Sequence, residues 1–167
     1  MKRIGLLSDT HSCWDEKYLL HFADCDEIWH AGDIGSEVII DHLEAHCPVR
    51  AVCGNIDGAV IRRRFGEVLR FRTEECNVIM THIGGYPGKY APTVRNIIYN
   101  ERPQLFISGH SHILKVMYDK NVGCLHINPG AAGRQGWQQV RTLVKFVIDG
   151  KEIKELEIIE LGSPAAL

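Results

Sequence analysis

Apolar and polar positions follow two rhythms along this chain. Residues 3–8, 27–31 and 49–53 are short apolar runs of strand length, each broken off by Asp, Gly or Asn. Between them the spacing turns helical. Residues 15–23 read as a helix with Ser12 as its N-cap, and Ser36 caps a second helix in which Ile40, Leu43 and Cys47 fall at i, i+3 and i+7 before Pro48 stops it. This strand–helix–strand–helix–strand run implies parallel strands joined by right-handed crossovers. The later sequence is richer in strand. Residues 67–72 alternate and turn into 77–80, a helix spans 92–100 with Pro92 at its first position, and 105–108 is a further strand. Two hairpins follow, 116–119 with 123–127 and 142–148 with 153–159, the second turning at Asp149-Gly150. The pattern predicts an α/β protein with two sheets and helices outside them. With no repeat, linker or low-complexity stretch, residues 1–167 read as a single domain.

Composition narrows the class. Hydrophobic residues make up 45% and charged residues 24% of the 167, which is a globular balance with enough chain for a core. Lys and Arg number 19 against 21 Asp and Glu, so no basic excess points to nucleic acid as a partner. Apolar stretches are far too short for a membrane span, and residues 4–7 are too few for a signal-peptide core. The expected location is the cytoplasm. The six cysteines form no CxxC pair and read as small buried thiols in a reducing compartment.

Nine histidines are the unusual feature, because imidazole is a common metal ligand. Their placement divides them. Asp9 and His11 follow the first strand, Asp33 the second and Asn55 the third; His82 follows the strand after the alternating segment, and His110 and His112 follow residues 105–108. Ligands bind outside the carboxyl ends of strands in open α/β sheets, so five strands side by side would bring these seven side chains to one rim. Each piece alone is weak: Asp-x-His recurs by chance, Gly-Asp and Gly-Asn mark turns, and a lone histidine is usually surface or core. The joint pattern carries the argument. Two carboxylates, four imidazoles and one amide oxygen suit borderline divalent ions, and seven ligands suit two ions better than one.

At this point the sequence resembles the calcineurin-like metallophosphoesterase superfamily. The matching motifs are Asp9-Thr-His11, Gly32-Asp33, Gly54-Asn55, Thr81-His82 and Gly109-His-Ser-His112. The short length and Asn128-Pro-Gly130 resemble its small bacterial and archaeal phosphodiesterases. The resemblance implies a four-layer αββα sandwich of two mixed sheets flanked by helices. It implies that Asp9, His11 and His112 hold one metal, that Asn55, His82 and His110 hold the second, and that Asp33 bridges them. The implied cofactor is a pair of divalent ions, manganese first, with iron, cobalt, nickel or zinc as alternatives. A hydroxide shared by both ions would attack a small phosphate-ester substrate, with Asp33 and Asn55 as the catalytic side chains.

One position departs from the pattern. Larger members carry a histidine directly after Gly-Asn, where it protonates the leaving group; here Ile56 follows. The alternatives are a non-catalytic scaffold like the retromer subunit that resembles this family, or a nucleotide phosphatase. Among the remaining features, Arg62–Arg64 read as solvated surface, and residues 83–88 as a substrate loop or a plain turn. His30 reads as packed, His21, His42 and His46 as exposed on helices, and His126 as a neighbour of the site. Trp137 and Tyr86 read as packing or as nucleobase stackers. A homo-oligomer is a further expectation, because small strand-rich domains often pair.

Overall fold

The computed structural model describes residues 1–165. Strands β1 (Lys2–Leu7), β2 (Glu27–His30) and β3 (Val49–Ala51) run parallel, with helices α1 (Lys17–His21) and α2 (Glu37–Glu44) between them. Then come α3 (Ala59–Arg64), β4 (Val68–Thr73) and β5 (Cys76–Thr81). A short ribbon, β6 (Gly85–Tyr86) with β7 (Lys89–Tyr90), leads to α4 (Pro92–Glu101). β8 (Leu105–Ile107), β9 (Leu114–Asp119) and β10 (Cys124–Pro129) complete one sheet, and the hairpin β11 (Arg141–Asp149) with β12 (Glu152–Gly162) returns to the other.

The sheets are ordered β12-β11-β1-β2-β3 and β4-β5-β8-β10-β9. Both are mixed. β1, β2 and β3 are parallel, as are β5, β8 and β10, and the other pairings in these two sheets are antiparallel. Three apolar clusters define the layers. Ile4, Leu6, Trp29, Val144 and Phe146 of the first sheet meet Val78, Met80, Leu105, Ile107 and Ile127 of the second. Residues one position along face outward, as strand periodicity requires. Leu7 and Ile28 pack with Tyr18 and Phe22 at α1 and Ile39, Ile40 and Leu43 on α2, while Ile79 and Phe106 pack with Val94 and Ile98 on α4. This is the expected helix–sheet–sheet–helix order. Full burial of a side chain such as Met80 or Phe146 stabilises by about 1.5–3 kcal/mol.

Differences from the expected elements are local. α1 is one short turn, preceded by Glu16 and uncapped by any side chain, so Ser12 does not cap it. Ser12 instead sits at φ 64° in the loop after β1. Ser36 does cap α2, accepting from the Val38 N–H at 3.2 Å. The sequence pattern did not predict α3, whose one buried side chain is Ile61, nor the two-residue ribbon. Both predicted hairpins are present. All six cysteines are free thiols. Among the described residues no helix is long and apolar enough to cross a membrane.

Candidate metal centre

The five strands that precede the seven chemical residues do not lie in one sheet. β1, β2 and β3 belong to the first, β5 and β8 to the second. The shared apolar layer stacks the sheets so that their carboxyl ends open onto the same rim. A hydrogen bond across 101 residues records the join: the His110 backbone N–H donates to the Asp9 side-chain Oδ2 at 3.1 Å. Further main-chain bonds knit the loops, from Asp9 N to Gly32 O at 2.9 Å and from Gly109 N to His82 O at 2.9 Å.

Six of the seven residues form two tight groups, Asp9–His11–His112 and Asp33–His82–His110, with the ligand atoms of each within 4.8 Å of one another. Asp9 Oδ1 lies 3.1 Å from His112 Nε2 and 3.9 Å from His11 Nε2. Asp33 Oδ2 lies 3.2 Å from His82 Nε2 and 3.4 Å from His11 Nε2, so it reaches into both groups. The seventh, Asn55, is exposed at the edge and places Oδ1 3.0 Å from His110 Nδ1. Two ligand atoms about 2.1 Å from a shared ion at ordinary coordination angles stand roughly 3–3.6 Å apart, which is the spacing of most of these pairs.

The atoms without partners are the sharper observation. Among the described residues four buried side-chain polar atoms have no hydrogen bond, and three are Asp9 Oδ1, His11 Nε2 and His82 Nε2. Such atoms cost about 1–3 kcal/mol each unless something fills the gap. Divalent ions fit: Asp9 Oδ1 and His11 Nε2 belong to one group and His82 Nε2 to the other, and all are metal-ligand types.

Neighbours turn the remaining atoms the right way. Ser8 Oγ and His110 N occupy Asp9 Oδ2, and Ile56 N donates to Asp33 Oδ1 at 3.0 Å, leaving Oδ1 of Asp9 and Oδ2 of Asp33 for the centre. His82 Nδ1–H donates to Ala31 O at 2.7 Å and His112 Nδ1–H to Gln138 Oε1 at 3.0 Å, which directs each Nε2 lone pair inward. Gln138 Nε2 donates to Gly133 O and Gln135 O, fixing the orientation of its amide.

Electrostatics match the geometry. Burial opposes charge on His82, yet the close approach of Asp33 Oδ2 and the charges of Asp9 and Asp33 outweigh that and raise its pKa. His112 is raised by its contact with Asp9, against a smaller burial effect. Burial alone would raise the Asp33 carboxyl, but His82 and the Ile56 N–H hold it below the usual range.

The backbone is strained here. Asp9, His11, Asp33, His110 and His112 all have positive φ, between 44° and 72°. Such conformations cost of order 1–3 kcal/mol each and persist where the surrounding fold enforces them. Two motif glycines are required by close approach. A Cβ on Gly54 would lie 2.1 Å from Asp33 Oδ1, and one on Gly32, at φ 99°, would lie 2.6 Å from His82 Nδ1.

Sequence reasoning missed Asp57 and Gln138, and the structure gives other supporting residues their partners. Asp57 is buried and accepts from the N–H groups of Gly54, Gly35 and Ile34 at 2.7, 2.8 and 3.2 Å, tying the Asn55 loop to the Asp33 loop. His30 packs as expected, and it also bridges loops: Nδ1 accepts from Gly32 N–H and Nε2 lies 3.0 Å from Thr10 Oγ1. Burial pushes its pKa down to about 4. Arg62 is a clamp more than solvated surface, bonding Asp57 O and Gly54 O, whereas Arg64 pairs with Glu44 and its neighbours. Asn128 Nδ2 donates to Gly109 O and Ser111 Oγ, on either side of His110. His126 is buried against Phe106 and bonds its carbonyl. His42 on α2 and His46 in the turn just beyond it are exposed, while His21 on α1 is half-buried. Trp137 is fully exposed.

Two clefts flank the centre and share Ile83 and Ala91 as a wall. One, of about 370 Å³, is lined by Asn55, Arg62, Val68, His82 and Pro92. The other, of about 290 Å³, is lined by Tyr86, His110, Ile113, Lys115 and His126.

Known proteins resemble this chain throughout. The calcineurin-like phosphoesterase superfamily domain matches residues 1–151. A protein of Methanothermobacter thermautotrophicus named "probable metallophosphoesterase" is 31% identical over 172 residues, covering 96% of this chain and 94% of that protein. Among solved structures, an archaeal phosphodiesterase superposes with a TM-score of 0.76 at 21% identity, covering 95% of this chain and 99% of the other. Vps29 of Entamoeba histolytica complexed with zinc superposes with a TM-score of 0.72 at 15% identity, covering 96% and 98%. Both structural likenesses concern the fold.

Proposed function

The chain belongs to the calcineurin-like phosphoesterase superfamily, and from that premise we propose that it is a metal-dependent phosphodiesterase with a dinuclear centre. The observation that carries this reading is the trio of buried, unpartnered ligand atoms on Asp9, His11 and His82. In the proposed assignment Asp9, His11 and His112 hold one ion, Asn55, His82 and His110 the other, and Asp33 reaches both. Manganese leads, with iron, cobalt, nickel and zinc behind it. Two ions so held would supply an ionised water as nucleophile at neutral pH and would neutralise the phosphoryl oxygens.

The protein groups do the rest. Asp33 Oδ2 and Asp9 Oδ1 lie within 4 Å of the inward-facing histidine nitrogens and set the spacing of the two groups. Asn55, at the exposed edge, is placed to offer its amide N–H to a phosphoryl oxygen. At position 56 an isoleucine side chain, which transfers no proton, lies half-exposed at the rim. The leaving group therefore departs without a proton from that position, and good leaving groups are favoured. Two clefts on opposite walls of Ile83 and Ala91 give a diester room for both organic arms. Residues 1–167 act as one domain, in the cytoplasm and on a small phosphate ester, with six free thiols consistent with a reducing compartment.

The test is metal content and hydrolysis of bis-p-nitrophenyl phosphate with Mn²⁺. Asp33→Asn is expected to lose bound metal and at least about 10²-fold in rate. Wild-type hydrolysis no faster than that of Asp33→Asn would favour the second reading, a non-catalytic interaction module, which the likeness of fold to Vps29 supports.

A further inference from the structure

The two clefts beside the centre differ in charge. In the cleft next to Asn55 the one guanidinium is spent: Arg62 gives Nε to Asp57 O at 2.7 Å, Nη2 to Gly54 O at 2.9 Å and Nη1 to Glu67 at 3.2 Å. That cleft is walled by Val68, Ile83, Ala91 and Pro92, and its one guanidinium is paired with Glu67, which also lines it. The cleft next to His110 has no Asp or Glu in its lining and one cation, Lys115. Among the described residues Lys115 has no carboxylate partner; its Nζ stands 3.8 Å from the centroid of the Tyr86 ring. The ring attracts the ammonium without neutralising it, and three N–H donors remain on the nitrogen.

Position makes this cation relevant. Lys115 on β9 pairs in register with Asn128 on β10, and Asn128 brackets His110 through Gly109 O and Ser111 Oγ. The half-buried lysine thus looks onto the same cleft as a residue of the metal centre, a short reach along the wall from it. A lysine is a point-charge binder of phosphate, and a cleft without acids leaves its field unopposed.

We propose that the Tyr86–Lys115 cleft is a subsite for a second phosphate, so that the preferred substrate is a phosphate diester with one arm bearing a further phosphate and the other uncharged. This rests on the phosphodiesterase reading for the reaction and on the cleft alone for the selectivity. The uncharged arm lies against Val68 and Pro92. The charged arm lies across Tyr86, with its terminal anion at Lys115.

A matched substrate pair tests it: p-nitrophenyl phenyl phosphate, and the same diester with a non-hydrolysable phosphonate on the phenyl ring. With Mn²⁺-loaded protein, kcat/KM for the phosphonate-bearing diester is expected to exceed that of the plain one by about tenfold, the size of a charge-assisted hydrogen bond. The ratio should fall to about one in Lys115→Met and persist in Lys115→Arg. It should also persist in Lys120→Met, an exposed lysine just beyond β9. Added salt should shrink it. Equal kcat/KM in the wild type, or a ratio untouched by Lys115→Met, would overturn the subsite. The binding of both diesters is measured by calorimetry in parallel. If neither is hydrolysed, the phosphodiesterase reading fails, while a Lys115-dependent preference in binding still supports the subsite and equal binding overturns it.

Discussion

His82 donates from Nδ1 to the carbonyl of Ala31 at 2.7 Å, and its Nε2 is left buried with no hydrogen-bond partner. The carbonyl stands just past β2 in the first sheet, and the imidazole follows β5 in the second. One bond thus joins the two sheets and fixes the tautomer that aims a lone pair inward.

Metal should therefore stabilise the fold. Ions at both ligand groups would give the stranded Asp9 Oδ1, His11 Nε2 and His82 Nε2 partners. At a hundredfold excess over its Kd, one tightly bound ion adds about 2.7 kcal/mol, or roughly 5–10 °C in Tm for a chain of this size. Thermal melts with Mn²⁺ and with EDTA measure it. Identical melts would count against the site.

Removing Asp57 should loosen the rim. Its carboxylate takes three backbone N–H bonds from Gly54, Gly35 and Ile34, and Asp57→Ala leaves those donors partly unpaired. A loss of about 3 kcal/mol is expected, read as a lower urea midpoint. Hydrolysis should fall as well, because the Asn55 loop loses its tie to Asp33.

Ile56→His should restore a proton donor at an exposed position beside the centre, where the Ile56 N–H already holds Asp33 Oδ1. Turnover on diesters with poor leaving groups is expected to rise by up to about 10²-fold, with little change on p-nitrophenyl esters. A series of phenols of graded pKa measures the change as a flatter dependence on the leaving group. An unchanged slope would sink this account of position 56.

Acid should weaken the protein through His126. Burial pushes its pKa down from 6.5 to about 4, so below pH 6.5 the unfolded chain binds a proton that the native chain does not. Stability attributable to this ring is full above 6.5 and is lost as pH falls toward 4. Between pH 7 and pH 5 the loss is about 2 kcal/mol. Urea titrations of the metal-free wild type and His126→Gln at both values isolate it as the difference between their slopes. His30, shifted the same way, adds to the wild-type slope in both proteins.

Much of the site was written locally. Each of the seven residues lies in the loop that follows a strand, His82 directly after β5 and the others a few positions past β1, β2, β3 or β8, and strand ends can be read from apolar runs. The hairpins were legible for the same reason, since Asp149-Gly150 is a turn whatever surrounds it. α3 was not, because Ala-Val-Ile-Arg-Arg-Arg has no apolar face and buries only Ile61. The short ribbon was hidden too, since two residues a side carry no period. Gln138 and Asp57 were silent because a glutamine or an aspartate in a loop has no pattern of its own, and their partners lie up to 26 residues away.

The sequence by itself determined the ligand chemistry, the order of the strands along the chain and the glycines that let side chains approach. Only the tertiary structure decided that the site lies across two sheets. Burial of the apolar layer between them brings Asp9 Oδ2 to 3.1 Å from His110 N and holds Asp9, His11, Asp33, His110 and His112 at positive φ, conformations that no local preference would select.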